Sequence, residues 1–393
     1  MLVPWITVVA VSAAPANPYS IPTVTLSNGV QMPTLIQGTG ASTWMNDTST
    51  EAEVYAGLMA GMVGVDTANH YRNQRGVAAA IARARADGLT ARVWMQTKVE
   101  GCGNAVDARS PVLQGSCFND TLAVHADNLA LLNASAVDLT LLHAPPCVPG
   151  APWVPQGCWN VSGTPELSLY PTQCDCAARV PCGMMQQQWL ALEQAYKAGT
   201  TRAIGVSNYC AACLACLAEV ATVAPHVNQL KFHAGMGGHG DPAGLLTYCA
   251  KQGTAVQVCP STRDRLVLSQ NSTYSRLTPL LVSTLASLLV IPGIDHGHAG
   301  GVQAYRALGG VGSSLVSDPT LKAVGAGYGK SAPQVALRYV VQRGHALVTS
   351  VDDAAFVGED LDIFNWTLSE ADRATVDGLS THNDSVVGNM CVL

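Results

Sequence analysis

The sequence predicts a protein of the α/β class, a closed (β/α)8 barrel of parallel strands with helices packed around it. Short β-rich runs alternate with amphipathic helical stretches along most of the chain. Units of that kind need crossover connections, and so imply a parallel sheet. A total of about eight units favours closure into a barrel over an open sheet. The chain has 393 residues, 48% of them apolar, which is enough to fill one large core.

In chain order, residues 63–66 (Val-Gly-Val-Asp) form a buried strand and 77–86 the helix after it. The next strand is 93–97; then come helix 125–132, strand 137–142, and helix 189–198, which stops at Gly199. Strands 203–206 and 255–258, helix 333–342 and strand 346–348 complete the pattern. Three stretches interrupt a barrel that extends over 21–385: the insertions 101–118, 147–184 and 261–317. Each follows a strand, so each is expected on the face that collects the C-terminal strand ends. Residues 277–294 carry no charge over eighteen positions, but Pro279 and Pro292 divide them and Ser and Thr dilute them. A buried lid, or an artefact of gene prediction, is favoured there over a membrane span.

Charged residues make up only 12% of the chain, against about 25% in ordinary soluble proteins. The net charge of −6 argues against nucleic acid and anionic membranes as partners. Residues 1–14 are expected to be a secretory leader: 2–14 is apolar or small, and no charged side chain precedes Asp47. Thirteen cysteines, ten of them between Cys102 and Cys216, point to an oxidising compartment. So do seven Asn-x-Ser/Thr sequons, at Asn46, Asn119, Asn133, Asn160, Asn271, Asn365 and Asn383. A secreted or secretory-pathway glycoprotein with disulfides is therefore expected. The odd cysteine count leaves one thiol over, or pairs it with another chain.

Four polar residues stand at the ends of successive strands. Asp66 closes one, Tyr71 lies five residues on, Lys98 ends the next and His143 follows the one after. At the C-terminal ends of neighbouring parallel strands such side chains share one cup. An ammonium beside a phenol favours the phenolate, which primes the phenol to give up its proton to a carbonyl oxygen. Histidine can orient that oxygen. Taken singly, each is an ordinary satisfied polar residue at a barrel mouth.

Together they resemble the aldo-keto reductase family. Residues 64–73 (GVDTANHYRN) resemble its signature around the catalytic Asp and Tyr, Gln96-Thr97-Lys98 its lysine strand, and 137–145 (VDLTLLHAP) its histidine strand. Residues 202–209 (RAIGVSNY) and 227–233 (VNQLKFH) are similar to two further blocks, 26–30 with Gly38-Thr39 to the opening hairpin, and 318–379 to the last repeat. The resemblance implies a TIM barrel that uses NAD(P)H to reduce an aldehyde or ketone. Tyr71 would be the proton donor, tuned by Lys98 and Asp66, with His143 positioning a small carbonyl substrate. Ser207, Asn208 and Gln229 match positions that hold the nicotinamide carboxamide, and Gly38, Thr39, Asp66, Ser350, Glu359 and Asp360 also fall at the cofactor.

The chain departs from the family twice. Val258-Cys259-Pro260 stands where the family has a tyrosine that stacks on nicotinamide, a loss of about 0.5–1.5 kcal/mol. No Lys or Arg occurs from Gly344 to Asp372, where the family grips the 2′-phosphate, and Asp352 and Asp353 add negative charge. A phosphate is repelled there by about 1 kcal/mol per carboxylate even at high dielectric. NADH preference, or weak binding of either cofactor, follows.

Cys210, Cys213 and Cys216 form a C-x2-C-x2-C run on a helix. The compartment argues for disulfides to the 147–182 region over a metal site, and Cys102 with Cys117 brackets one loop. Asp295-His296-Gly297-His298 is expected to be a solvated turn, and Cys249 and Cys259 buried thiols. Two rivals to the reductase are a non-catalytic barrel that keeps the tetrad but has lost the cofactor, and a proton-only isomerase using Tyr71 and Lys98. Nicotinamide-dependent turnover separates the first from the reductase, and turnover without nicotinamide marks the second.

Overall fold

The structure is a computed structural model and describes residues 20–40, 46–102, 116–146, 179–230, 232–235, 245–258, 315–349 and 354–379. The 1–14 leader, Ser350, Cys259, residues 277–294 and most of the three insertions lie outside the described residues.

A hairpin of β1 (Thr23–Thr25) and β2 (Gln31–Pro33) comes first, turning at Gly29, whose φ of +83° suits a residue without Cβ. The barrel strands are β3 (Leu35–Gly38), β4 (Gly64–Asp66), β5 (Trp94–Val99), β6 (Leu139–Leu142), β7 (Ile204–Ser207), β8 (Val227–Leu230), β9 (Ala255–Val258) and β10 (Ala346–Thr349). They lie in that order, all parallel, and β10 closes the circle by pairing with both β3 and β9. The α/β barrel is thus present as the sequence predicts. The hairpin's Leu26 and Met32 pack with Trp94, Leu139, Val227 and Ala346 inside the barrel. All four lie at or near strand starts, so the hairpin plugs the N-terminal end and leaves the other end for chemistry.

Helices α1 (Asp47–Ala60), α2 (Gln74–Ala86), α3 (Cys117–Leu131), α4 (Arg179–Lys197), α5 (Ala211–Ala218), α6 (Leu245–Lys251), α7 (Pro319–Ala326), α8 (Ala332–Gln342), α9 (Ala354–Leu361) and α10 (Glu370–Asp377) complete the chain. Trp189 and Leu192 of α4 and Val335 and Leu337 of α8 are fully buried and carry much of the outer core. Two helices begin earlier than periodicity suggests. α3 starts at Cys117 because Ser116 caps it, accepting from Asn119 N at 3.2 Å. α4 starts at Arg179, so the last six residues of the 147–184 insertion are already helical.

Two disulfides are present among the described residues. Cys102–Cys117 ties the end of β5 to the start of α3, with Cα atoms 5.6 Å apart. Cys182–Cys216 joins α4 to α5 at 5.7 Å, one of the pairings expected between the C-x2-C-x2-C run and the 147–182 region. Cys249 is a buried thiol, to which Asn228 Nδ2 donates at 3.7 Å. Among the described residues no helix is long and apolar enough to cross a membrane.

Candidate active site

The parallel register brings the four residues together. Gly64–Asp66 pairs with β5 so that Asp66 lies beside Gln96, and the alternation of β5 puts Gln96 and Lys98 on the same inward face. Lys98 and Asp66 are both buried, and the ammonium donates to both carboxylate oxygens at 2.7 and 2.6 Å. Lys98 Nζ also reaches Thr67 O and the Tyr71 hydroxyl, each at 3.3 Å. Tyr71 is brought there by a 3-10 turn over Asn69–Tyr71 that directly follows β4. Tyr71 as a whole is 4% exposed. A Cβ on Gly40 would stand 2.9 Å from the phenol oxygen and 2.6 Å from the ring, so only glycine fits against this face of Tyr71.

His143 follows β6 and is anchored by its main chain. Its N–H donates to Val99 O at 2.7 Å and its carbonyl accepts from Asn208 Nδ2 at 2.8 Å. The imidazole meets the Tyr71 ring edge-on with centroids 5.5 Å apart, and His70 stands 6.5 Å from each. On its other side, Nδ1 is 2.5 Å from Glu100 Oε1. Burial pushes the Glu100 carboxyl up, but the charge and hydrogen bond of His143, with help from His70 and Lys98, outweigh it and hold the group below the usual carboxylate range.

The residues expected at the cofactor divide into three groups. Ser207, Asn208 and Gln229 cluster at the ends of β7 and β8: Ser207 Oγ donates to Gln229 O at 3.1 Å and accepts from Asn208 Nδ2 at 3.2 Å. Asn208 adopts φ +65°, and its Oδ1 is buried with no partner among the described residues. A buried lone acceptor suits the N–H of a carboxamide, so the nicotinamide group fits here. Gly38 ends β3, and Thr39 donates from both N and Oγ1 to Asp66 O, at 3.0 and 3.1 Å, which joins this corner to the tetrad. Glu359 and Asp360 lie apart on α9: Asp360 accepts from Thr349 Oγ1 at 2.8 Å, and Glu359 lines a cavity of about 410 Å³ with Lys322, Lys330, Ser331 and Phe356.

Four residues of the site escape the sequence reading: Glu100, Gly40, Gln96 and Gln257. Gln96 donates to Asp66 Oδ1 at 2.6 Å and to Gln257 Oε1 at 2.8 Å, and Gln229 donates to that same Oε1 at 2.8 Å. An unbroken line of amides therefore crosses the barrel from Gln229 to Asp66. The available signal was one glutamine in each of two barrel strands, Trp94–Val99 and Ala255–Val258. No group of three or more His, Cys, Asp and Glu side chains able to hold a metal occurs among the described residues.

Known proteins resemble this chain in sequence and in fold. The NAD(P)H-dependent D-xylose reductase of Scheffersomyces stipitis is 27% identical over 366 residues, 91% of this chain and 93% of that protein. The NADPH-dependent codeinone reductase 1-4 of Papaver somniferum is 25% identical over 375 residues, covering 91% and 88%. The crystal structure of a Bombyx mori aldo-keto reductase in complex with NADP aligns over 91% of this chain and 92% of that one, at 22% identity and a TM-score of 0.60. The Aldo/keto reductase family model matches residues 34–381, so the chain belongs to that family.

Proposed function

We propose that this protein reduces an aldehyde or ketone to an alcohol with a reduced nicotinamide cofactor, using Tyr71 as the proton donor. The observation that carries this reading is the buried Lys98 ammonium, gripped by both oxygens of Asp66 and 3.3 Å from the Tyr71 hydroxyl. When bound, reduced nicotinamide supplies the hydride that the carbonyl carbon accepts. Tyr71 gives its proton to the carbonyl oxygen, and the adjacent ammonium stabilises the phenolate left behind, which solvent then reprotonates. Asp66 keeps the ammonium in place. His143, edge-on to the phenol, meets the same oxygen and fixes its direction. Asn208, Ser207 and Gln229 would hold the carboxamide, with Gly38 and Thr39 beside them.

NADH is the cofactor we favour. The stretch from Gly344 to Asp372 holds no cation for a 2′-phosphate, and Lys330, the nearest lysine before it, is paired with Asp362. The disulfides support an oxidising compartment, in keeping with secretion. Consumption of NADH with an aromatic aldehyde, followed at the reduced-nicotinamide band, tests the activity. Tyr71→Phe is expected to abolish it. Turnover unchanged in Tyr71→Phe overturns the proton-donor assignment, and a lower Kd for NADPH than for NADH by fluorescence quenching overturns the preference.

A further inference from the structure

Within the reductase reading above, Glu100 is the charged group of the site that the tetrad leaves without a task. It follows the last residue of β5, and the pairing of Val99 with Leu142 sets it opposite His143. Its side chain is 14% exposed, that of His143 only 3%. Both partners are held from behind. Gln188 Nε2 donates to Glu100 O at 2.8 Å, Cys102 N donates to Gln188 Oε1 at 3.0 Å, and Cys102 is tied to Cys117. His143 is fixed by Val99 and Asn208. The 2.5 Å contact between Nδ1 and Oε1 thus joins two anchored groups.

We propose that Glu100 is a positioning residue for His143: its carboxylate keeps a proton on Nδ1, so the ring offers Nε2 as a donor when doubly protonated and as an acceptor when neutral. A carboxylate can only accept, so the Nδ1 side of the ring must donate in either state. Nε2 then carries the change. With both protons, Nε2–H points a donor at a carbonyl oxygen, as reduction requires. With one, Nε2 holds only a lone pair, which repels a carbonyl oxygen. Among the described residues, the titratable groups facing this ring are Glu100, His70, Tyr71 and, through Tyr71, Lys98.

Glu100→Gln separates this role from simple support. Glutamine is isosteric but can turn its amide to donate to Nδ1, which moves the ring proton to Nε2 and makes a permanent neutral donor. In the wild type, kcat/KM for reduction should fall about tenfold per pH unit along its alkaline limb. In Glu100→Gln the reductive limb should be flat over the same range. Superimposable pH profiles for the two proteins overturn the proposal. Nitrogen-15 NMR of the imidazole gives an arm that needs no turnover and no variant: the neutral ring of the wild type should carry its proton on Nδ1, and a proton on Nε2 there overturns the proposal. If the wild type turns over no carbonyl at all, the reductase reading fails, while the NMR result still decides where the proton sits.

Discussion

Lys98 is a fully buried cation whose charge is answered by a fully buried anion, so the two residues stand or fall together. Lys98→Met should remove the ammonium from the phenol and cost about two to four orders of magnitude in turnover. It also leaves the Asp66 carboxylate uncompensated, a loss of about 3–5 kcal/mol that a denaturant titration will read. Adding Asp66→Asn to Lys98→Met should recover most of that stability and none of the turnover. A double variant as unstable as the single one would show that the pair is not what holds this corner. Residues such as these were legible because each is a charge at the end of an apolar run, where burial demands a reason. Glu100 and Gly40 were not. The meaning of Glu100 lies in a contact with a residue 43 positions away, and that of Gly40 in the absence of an atom that would strike Tyr71.

Among the elements, strands were the better read, because a buried parallel strand writes its own signature in β-branched and aliphatic runs. Ala255–Val258 has the expected bounds, whereas α3 and α4 begin eight and ten residues earlier than periodicity suggests. The first turns of both helices are polar or cysteine-rich and show no apolar stripe; a serine cap sets one start, and nearby disulfides fasten both. The α4–α5 connection depends on Cys182–Cys216, which closes a loop of 34 residues. On the chain-entropy account such a closure contributes about 4 kcal/mol, against about 3 for Cys102–Cys117 over 15. Replacing Cys182 and Cys216 together by alanine should therefore lower unfolding free energy by a few kcal/mol and bring α5 to faster hydrogen exchange. Unchanged exchange in α5 would show that Trp189 and its neighbours hold these helices unaided.

Over the whole molecule the fold was legible because eight units repeat one pattern, while the stretches expected as insertions do not repeat and lie mostly outside the described residues. The barrel also has a built-in acid limit. Burial pushes His125 down to about 4 from 6.5, with Thr200 Oγ1 3.0 Å from its Nε2. His226 shifts the same way, again mainly through burial. Folding thus favours the neutral rings; for His125 that contribution is complete above pH 6.5 and is lost as pH falls towards about 4. For His125 the loss amounts to about 3 kcal/mol at the acid end. His125→Gln should flatten the pH dependence of unfolding free energy across that window, and an unaltered slope would assign acid lability to other groups.

The row of amides from Gln229 to Asp66 has a consequence for anyone who would alter this enzyme. Gln96 Nε2 donates to both Asp66 and Gln257, and Gln257 Oε1 accepts from both Gln96 and Gln229, so the order of donors is set for the whole row once Asp66 is ionised. A substitution at Gln229 would turn Gln257, then Gln96, and arrive at the carboxylate that steadies Lys98. The two ends of the row are therefore not separately tunable: whoever edits Gln229 reaches Lys98 as well.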